Sequence, residues 1–161
     1  MAENKLLGIY LNDHLAGATA GLELAKRALS NNSGTEYGRF VERLTRAIDE
    51  DRRALAGLMD RLGIPENRGK QAAAWVAEKA GRLKLNGQLT GYSPLSRLVE
   101  IEGLALGVEG KASLWRSLRQ VAGSDPRIEI AELETLLARA EQQRDELERH
   151  RLEAAALALS R

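Results

Sequence analysis

The 161-residue chain contains no cysteine. That excludes a disulfide scaffold, thiolate catalysis and thiolate metal ligation together. Aromatic residues make up only 4%, too few for the β-branched and aromatic cores of sheet proteins. No sign of charge dominates: 24 basic residues face 23 acidic ones, a formal net charge of +1. The one-sided electrostatic footprint of a dedicated nucleic-acid binder is therefore missing. No uninterrupted apolar run approaches the ~20 residues of a membrane span. The apolar N-terminal stretch is interrupted by Glu3, Asp13 and His14, so it does not read as a secretory signal. The expected compartment is the cytoplasm.

Alanine and leucine supply most of the apolar content, and that mix favours helices. Hydrophobic residues at 43% and charged residues at 29% are ordinary for one globular domain, here residues 1–161, large enough to bury a core. Helical periodicity marks four long amphipathic segments. The first runs over about 3–30, with Leu6, Tyr10, Gly17, Ala20 and Leu24 on one stripe and Leu7, Leu11, Ala18, Gly21 and Ala25 beside it. The second covers about 34–62, with Ser33 as expected N-cap and Gly63 and Pro65 as its stop. The third opens at Ser93-Pro94, with proline at the first helical position, and runs to about Ala122. Its inward stripe is expected at Leu95, Leu98, Val99, Ala105 and Leu106, turning toward Leu114, Trp115 and Leu118. The fourth starts after Asp125-Pro126. Its stripe is Leu133, Leu137, Ala140, Leu147, Ala154 and Ala158.

Between the second and third helices lies a passage from Gly63 to Tyr92, far longer than an ordinary helix–helix connection. It carries its own amphipathic segment, about Lys70 to Leu85, with Trp75, Val76 and Leu83 on the apolar side. Arg68, Lys70, Lys79, Arg82 and Lys84 surround them. Docking on anionic lipid or nucleic acid is one reading; a surface helix packed on the bundle is the simpler one. Gly103, Gly107 and Gly110 line one side of the third helix, where this segment or another subunit could approach closely.

Polar residues on apolar stripes are the candidate functional positions. Asp51 lies between Ile48 and Leu55, and Asp13 one turn from Tyr10 and Gly17. His14 falls in the same wide apolar sector. Glu102 and Glu109 sit seven residues apart beside Val99 and Leu106, and Arg144 and Arg151 repeat that spacing in the fourth helix. Asp13 and Asp51 are expected at one level of the bundle. Glu109 joins them if the passage spans the bundle, leaving Glu102 opposite Arg144; Glu102 joins them if it does not. Carboxylates clustered in an apolar bundle need a divalent metal, bound protons or arginines to stay there. Carboxylates with a histidine suit iron, manganese or zinc, whereas guanidinium forks suit an internal ion-pair network.

Two hairpins joined by a long crossover resemble the ferritin-like superfamily, which includes ferritins, bacterioferritins and rubrerythrins. The resemblance implies an all-α, ferritin-like four-helix bundle with a long helical crossover between helices 2 and 3. In metal-binding members two helices each give a Glu and two give Glu-x-x-His. Here Asp51 is followed by Ala54, Glu50 by Arg53, Glu141 by Arg144, Glu146 by Arg149 and Glu148 by Arg151. His14 and His150 belong to neither motif. The leading expectation is a non-catalytic bundle with a buried network of Asp13, Asp51, Glu102, Glu109, Arg144 and Arg151. It would self-associate, as a homodimer or larger homo-oligomer, or bind a partner protein. The alternative is an iron- or manganese-binding oxidase or storage protein, with Asp13, His14, Asp51, Glu102 and Glu109 as ligands.

Overall fold

The computed structural model describes residues 2–67 and 91–160. Four long helices form the framework: α1 (Ala2–Asn31), α2 (Glu36–Arg61), α3 (Pro94–Val121) and α4 (Ile130–Leu159). A 3-10 turn, Ala122–Ser124, extends α3. The described residues contain no strand, and none of their helices is long and apolar enough to cross a membrane. The described part of the protein is all-α. The expected segment Lys70–Leu85, with Arg68, Trp75 and its lysines, lies outside the described residues.

Helix ends follow local chemistry. Thr35, rather than Ser33, caps α2 by accepting a hydrogen bond from the Gly38 amide. A Cβ on Gly38 would lie 2.0 Å from the Asn32 carbonyl oxygen, so the turn admits only glycine there. α2 stops at Gly63, whose φ is 69°. The amides of Gly63 and Ile64 donate back to Asp60 and Met59, the paired bonds of a glycine-terminated helix. Ser93 caps α3 reciprocally with Ser96, and Pro94 takes the first turn. α4 begins four residues after Pro126, because the Asp125 carboxylate holds the Arg127 amide and guanidinium in the preceding turn.

Cross-helix pairs set the directions. Tyr10 meets Ser117, while Arg27 and Asn31 reach Glu100, so α1 and α3 are antiparallel. Arg61 pairs with Glu132, Glu50 with Arg139 and Arg43 with Glu146, so α2 and α4 are antiparallel. α1 and α2 form a hairpin through the Asn32–Thr35 turn, and Gly8 lies beside Ile64. α2 and α3 therefore run the same way. The Asn67 amide donates to Asn12 at 2.6 Å, and Asn32 donates to the Tyr92 hydroxyl at 2.8 Å. Residues 67 and 92 are thus held against points on α1 about 30 Å apart.

The core follows a strict alternation of three and four residues. On α2 it runs through Tyr37, Val41, Leu44, Ile48, Asp51, Leu55, Leu58 and Leu62, all buried. On α3 it runs through Ile101, Leu104, Val108, Lys111, Trp115 and Leu118, and on α4 through Leu133, Leu136, Ala140, Gln143, Leu147, His150 and Ala154. This is the knobs-into-holes spacing of long helical bundles. It corrects part of the expected face of α3 and the expected inward polar positions of α4, whose stripe through Leu133, Leu137, Ala140, Leu147 and Ala154 is buried as expected. Leu106 is 75% exposed and Leu95 lies outside the core. On α4 the inward polar positions are Gln143 and His150, one residue before Arg144 and Arg151.

Candidate functional site

Asp51 is the most buried carboxylate of the described residues, at 2% exposure. It occupies a core position of the α2 register. Lys111, in the inward register of α3, places Nζ 2.5 Å from Asp51 Oδ2. Arg139 of α4 places Nη1 2.9 Å from Asp51 Oδ1 and also 3.1 Å from Glu50. Each oxygen of the buried carboxylate therefore faces a cation from another helix. Lys111 also donates to Gln143 Oε1 at 2.5 Å. Burial pulls the Lys111 ammonium below the ordinary lysine range, and the charge of Asp51 opposes that shift.

This layer forms one end of a cavity of about 960 Å³ between α1 and α3. The cavity follows α1 from Asp13 to Arg27 and α3 from Val99 to Trp115, and Ile48, Asp51, Arg52 and Leu55 reach it from α2. Its walls are made of small residues: Gly17 and Gly21 on α1, Gly107 and Gly110 on α3. A Cβ added at any of these four would meet nothing within 4 Å. Trp115 lines the cavity and is 1% exposed, yet its indole N–H has no hydrogen-bond partner among the described residues. Gln143 Nε2, beside Lys111, also lacks one.

A second polar cluster sits at the end of the bundle where α1 turns into α2. Glu100, 4% exposed, accepts from Tyr92 at 2.9 Å and from Asn31 at 3.2 Å, with Arg27 at 3.5 Å. Asn32 bridges Tyr92 and Arg97. Burial raises the Glu100 carboxyl above its ordinary range against these partners, and burial also pushes the Tyr92 hydroxyl up to about 12. Nearby, His150 packs 4.4 Å from Phe40 and 5.5 Å from Tyr37, and burial lowers its pKa.

The expected site residues fall into three groups, with Glu102 shared by two of them. Asp51 is buried within an ion-pair network, but its partners are Lys111 and Arg139. Asp13, His14 and Glu102 line the same cavity as Asp51. Asp13 and Glu102 are exposed, and His14 packs edge-on against Tyr10 at 4.6 Å, with burial lowering its pKa. The third group is a surface ladder between α3 and α4. Glu109 meets Arg116 at 2.9 Å and Arg144 at 3.9 Å, and Glu102 meets Arg151 at 3.8 Å. These glutamates were expected inward, with Glu102 opposite Arg144 if the connection between α2 and α3 spans the bundle. They lie outward because the α3 core runs through Ile101 and Val108, one residue earlier in each case.

An iron or manganese pair needs several carboxylates and histidines with free lone pairs converging on the axis. Among the described residues, no group of three or more His, Asp or Glu side chains could hold a metal ion. Asp51 has both oxygens turned to cations. This donor set does not fit a metal pair. Comparison with protein-family models, with curated proteins and with solved structures gives no match.

Lys111, Arg139, Gln143 and Glu100 were not expected as functional residues. Lys111 and Gln143 were legible in principle. Each interrupts an otherwise apolar three-and-four alternation, as Asp51 does on α2. Arg139 and Glu100 sit beside that register, and only the tertiary packing brings them to their partners.

Proposed function

We propose that this protein is a cytoplasmic, ferritin-like bundle that acts by binding rather than by metal chemistry, with the 62–93 connection as a long helical crossover. The parallel course of α2 and α3 supports that crossover, since it requires a connection that returns along the bundle. One observation carries the functional reading. The buried axial carboxylate, Asp51, is balanced by Lys111 and Arg139 of its own chain. A carboxylate so neutralised has no charge left for a metal to satisfy. The α1–α3 face, with its glycine-walled cavity and outward Leu106, is then the binding surface, for a second copy or another partner.

The competing reading is an iron- or manganese-dependent oxidase or store. It draws on Asp13, His14, Asp51 and Glu102 lining one cavity. Elemental analysis of untagged protein, before and after incubation with ferrous iron and manganese, separates the two. The binding reading expects metal far below one equivalent per chain. Stoichiometric metal that disappears in Asp51→Asn would establish the competing reading instead. Sedimentation velocity on the same samples reports self-association.

A further inference from the structure

The two ends of the connection between α2 and α3 flank the two ends of the cavity. Asp13 lines one end, and its neighbour Asn12 accepts from the Asn67 amide at 2.6 Å. Arg27 lines the other end and pairs with Glu100, to which the Tyr92 hydroxyl donates at 2.9 Å. Asn32 in turn donates to Tyr92. Residues 68–91 therefore cover about 30 Å along α1, from Asn12 to Asn32. Fully extended, these 24 residues would reach about 80 Å. A helix over 70–85 covers about 24 Å and leaves a few residues at each end. That length matches the cavity, which follows about 21 Å of α1 from Asp13 to Arg27.

The composition of the segment suits the cavity too. By periodicity Ala72, Trp75, Val76 and Leu83 share one side, and the cavity walls are largely alanine, glycine and leucine, with Leu106 75% exposed. Residues 68–85 carry five basic residues and one acidic residue, Glu78. Asp13, Glu23 and Glu102 line the cavity and are exposed. Lys79 lies within four residues of Trp75, Val76 and Leu83, on the same side. Counted from Asn12, it arrives at the level of Glu23. A segment tethered at both ends of the cavity is present there at a millimolar effective concentration, which favours it over a separate chain.

We propose that residues 70–85 seat in this cavity as an amphipathic helix, parallel to α1 and antiparallel to α3, with Trp75, Val76 and Leu83 turned into it. The proposal rests on the reading of the α1–α3 face as a binding surface and makes the chain's own segment its occupant. A second copy or another partner then meets the outer side of that segment.

The test uses the full chain, which has no native cysteine. Val76→Cys is paired with Leu106→Cys, at one level in this register, and separately with Asp145→Cys on the outward side of α4. Under mild oxidation the first pair should close at least tenfold faster, as a disulfide within one chain on a non-reducing gel. Trp115→Phe leaves Trp75 as the single tryptophan. Acrylamide should quench it at least threefold less than in the urea-unfolded chain. Leu106→Asp charges the cavity wall at an exposed position, so the helical framework should hold by circular dichroism. It should raise the quenching at least threefold. The cysteine pairs decide alone if Trp115→Phe folds poorly. Equal rates for the two pairs overturn the proposal, and so does quenching that Leu106→Asp leaves unchanged. A disulfide formed only between chains, in a sample sedimenting as a dimer, seats a second copy in the cavity. That result overturns this inference and leaves the binding reading in place, since metal content decides that reading.

Discussion

Lys111 Nζ and Asp51 Oδ2 meet at 2.5 Å, although α3 packs mainly on α4 and α1, and α2 mainly on α1. The pair reaches across the bundle because both residues occupy core positions on helices that run the same way. Removing Asp51 leaves the Lys111 ammonium without its counter-charge, a change that typically costs about 3–5 kcal/mol for a buried pair. Asp51→Asn is expected to cost that much in urea unfolding. Asp13→Asn, at an exposed position on α1, should stay within about 0.5 kcal/mol of the wild type. Equal effects would mean that the two aspartates share one environment.

Acid should weaken the fold through its buried histidine. Burial lowers the His150 pKa in the folded state below its ordinary 6.5. The unfolded chain then takes up the proton first as pH falls, so the contribution is present above about 6.5 and is lost below it. His14 acts with the same sign, and Glu100, with its raised pKa, acts with the opposite one. A difference measurement isolates His150. The thermal midpoint of His150→Phe should fall less between about pH 7.5 and 5.5 than that of the wild type. Parallel pH profiles would remove His150 as the titrating group.

Two glycines should respond oppositely to alanine. Gly38→Ala forces a Cβ to 2.0 Å from the Asn32 carbonyl oxygen, and the backbone there cannot yield without breaking the Thr35 cap. A loss of more than about 2 kcal/mol is expected, combining cap loss with strain. Gly107→Ala meets nothing and replaces a mid-helix glycine, so a gain of about 0.5–1 kcal/mol is expected. Chemical denaturation of the two variants checks both signs.

Tyr92→Phe removes one donor from buried Glu100 and the acceptor of Asn32. The expected cost is about 1–3 kcal/mol, since two buried polar groups lose a partner. The loss should shrink toward acid pH, where Glu100 is protonated in the folded state. A pH-independent loss would place the effect in packing alone.

Much of the fold was legible in the sequence because turn chemistry and periodicity agree. Ser93-Pro94, Gly63 and the apolar stripe of α2 locate helix ends and faces directly, and Asp51 stands out on that stripe. The site was less legible because α3 and α4 are apolar on more than one side. Around Val99 and Leu106 a second apolar stripe competes with the true one through Ile101 and Val108. Choosing the outer stripe turns Glu102 and Glu109 inward. On α4 a one-residue shift substitutes Arg144 and Arg151 for Gln143 and His150. Periodicity alone cannot choose between stripes of similar hydrophobicity; the packing of α3 on α1 and α4 does. Nothing in the local sequence announces that Lys111 will meet Asp51, since 60 residues separate them.

Asp51 is balanced by cations of its own chain, Lys111 and Arg139. A double-mutant cycle at Asp51 and Lys111, using Asp51→Leu, Lys111→Met and the double variant in urea unfolding, measures that balance most directly. A coupling of about 2–3 kcal/mol is expected, with the double variant more stable than Asp51→Leu alone. Additive losses, with coupling near zero, would contradict it.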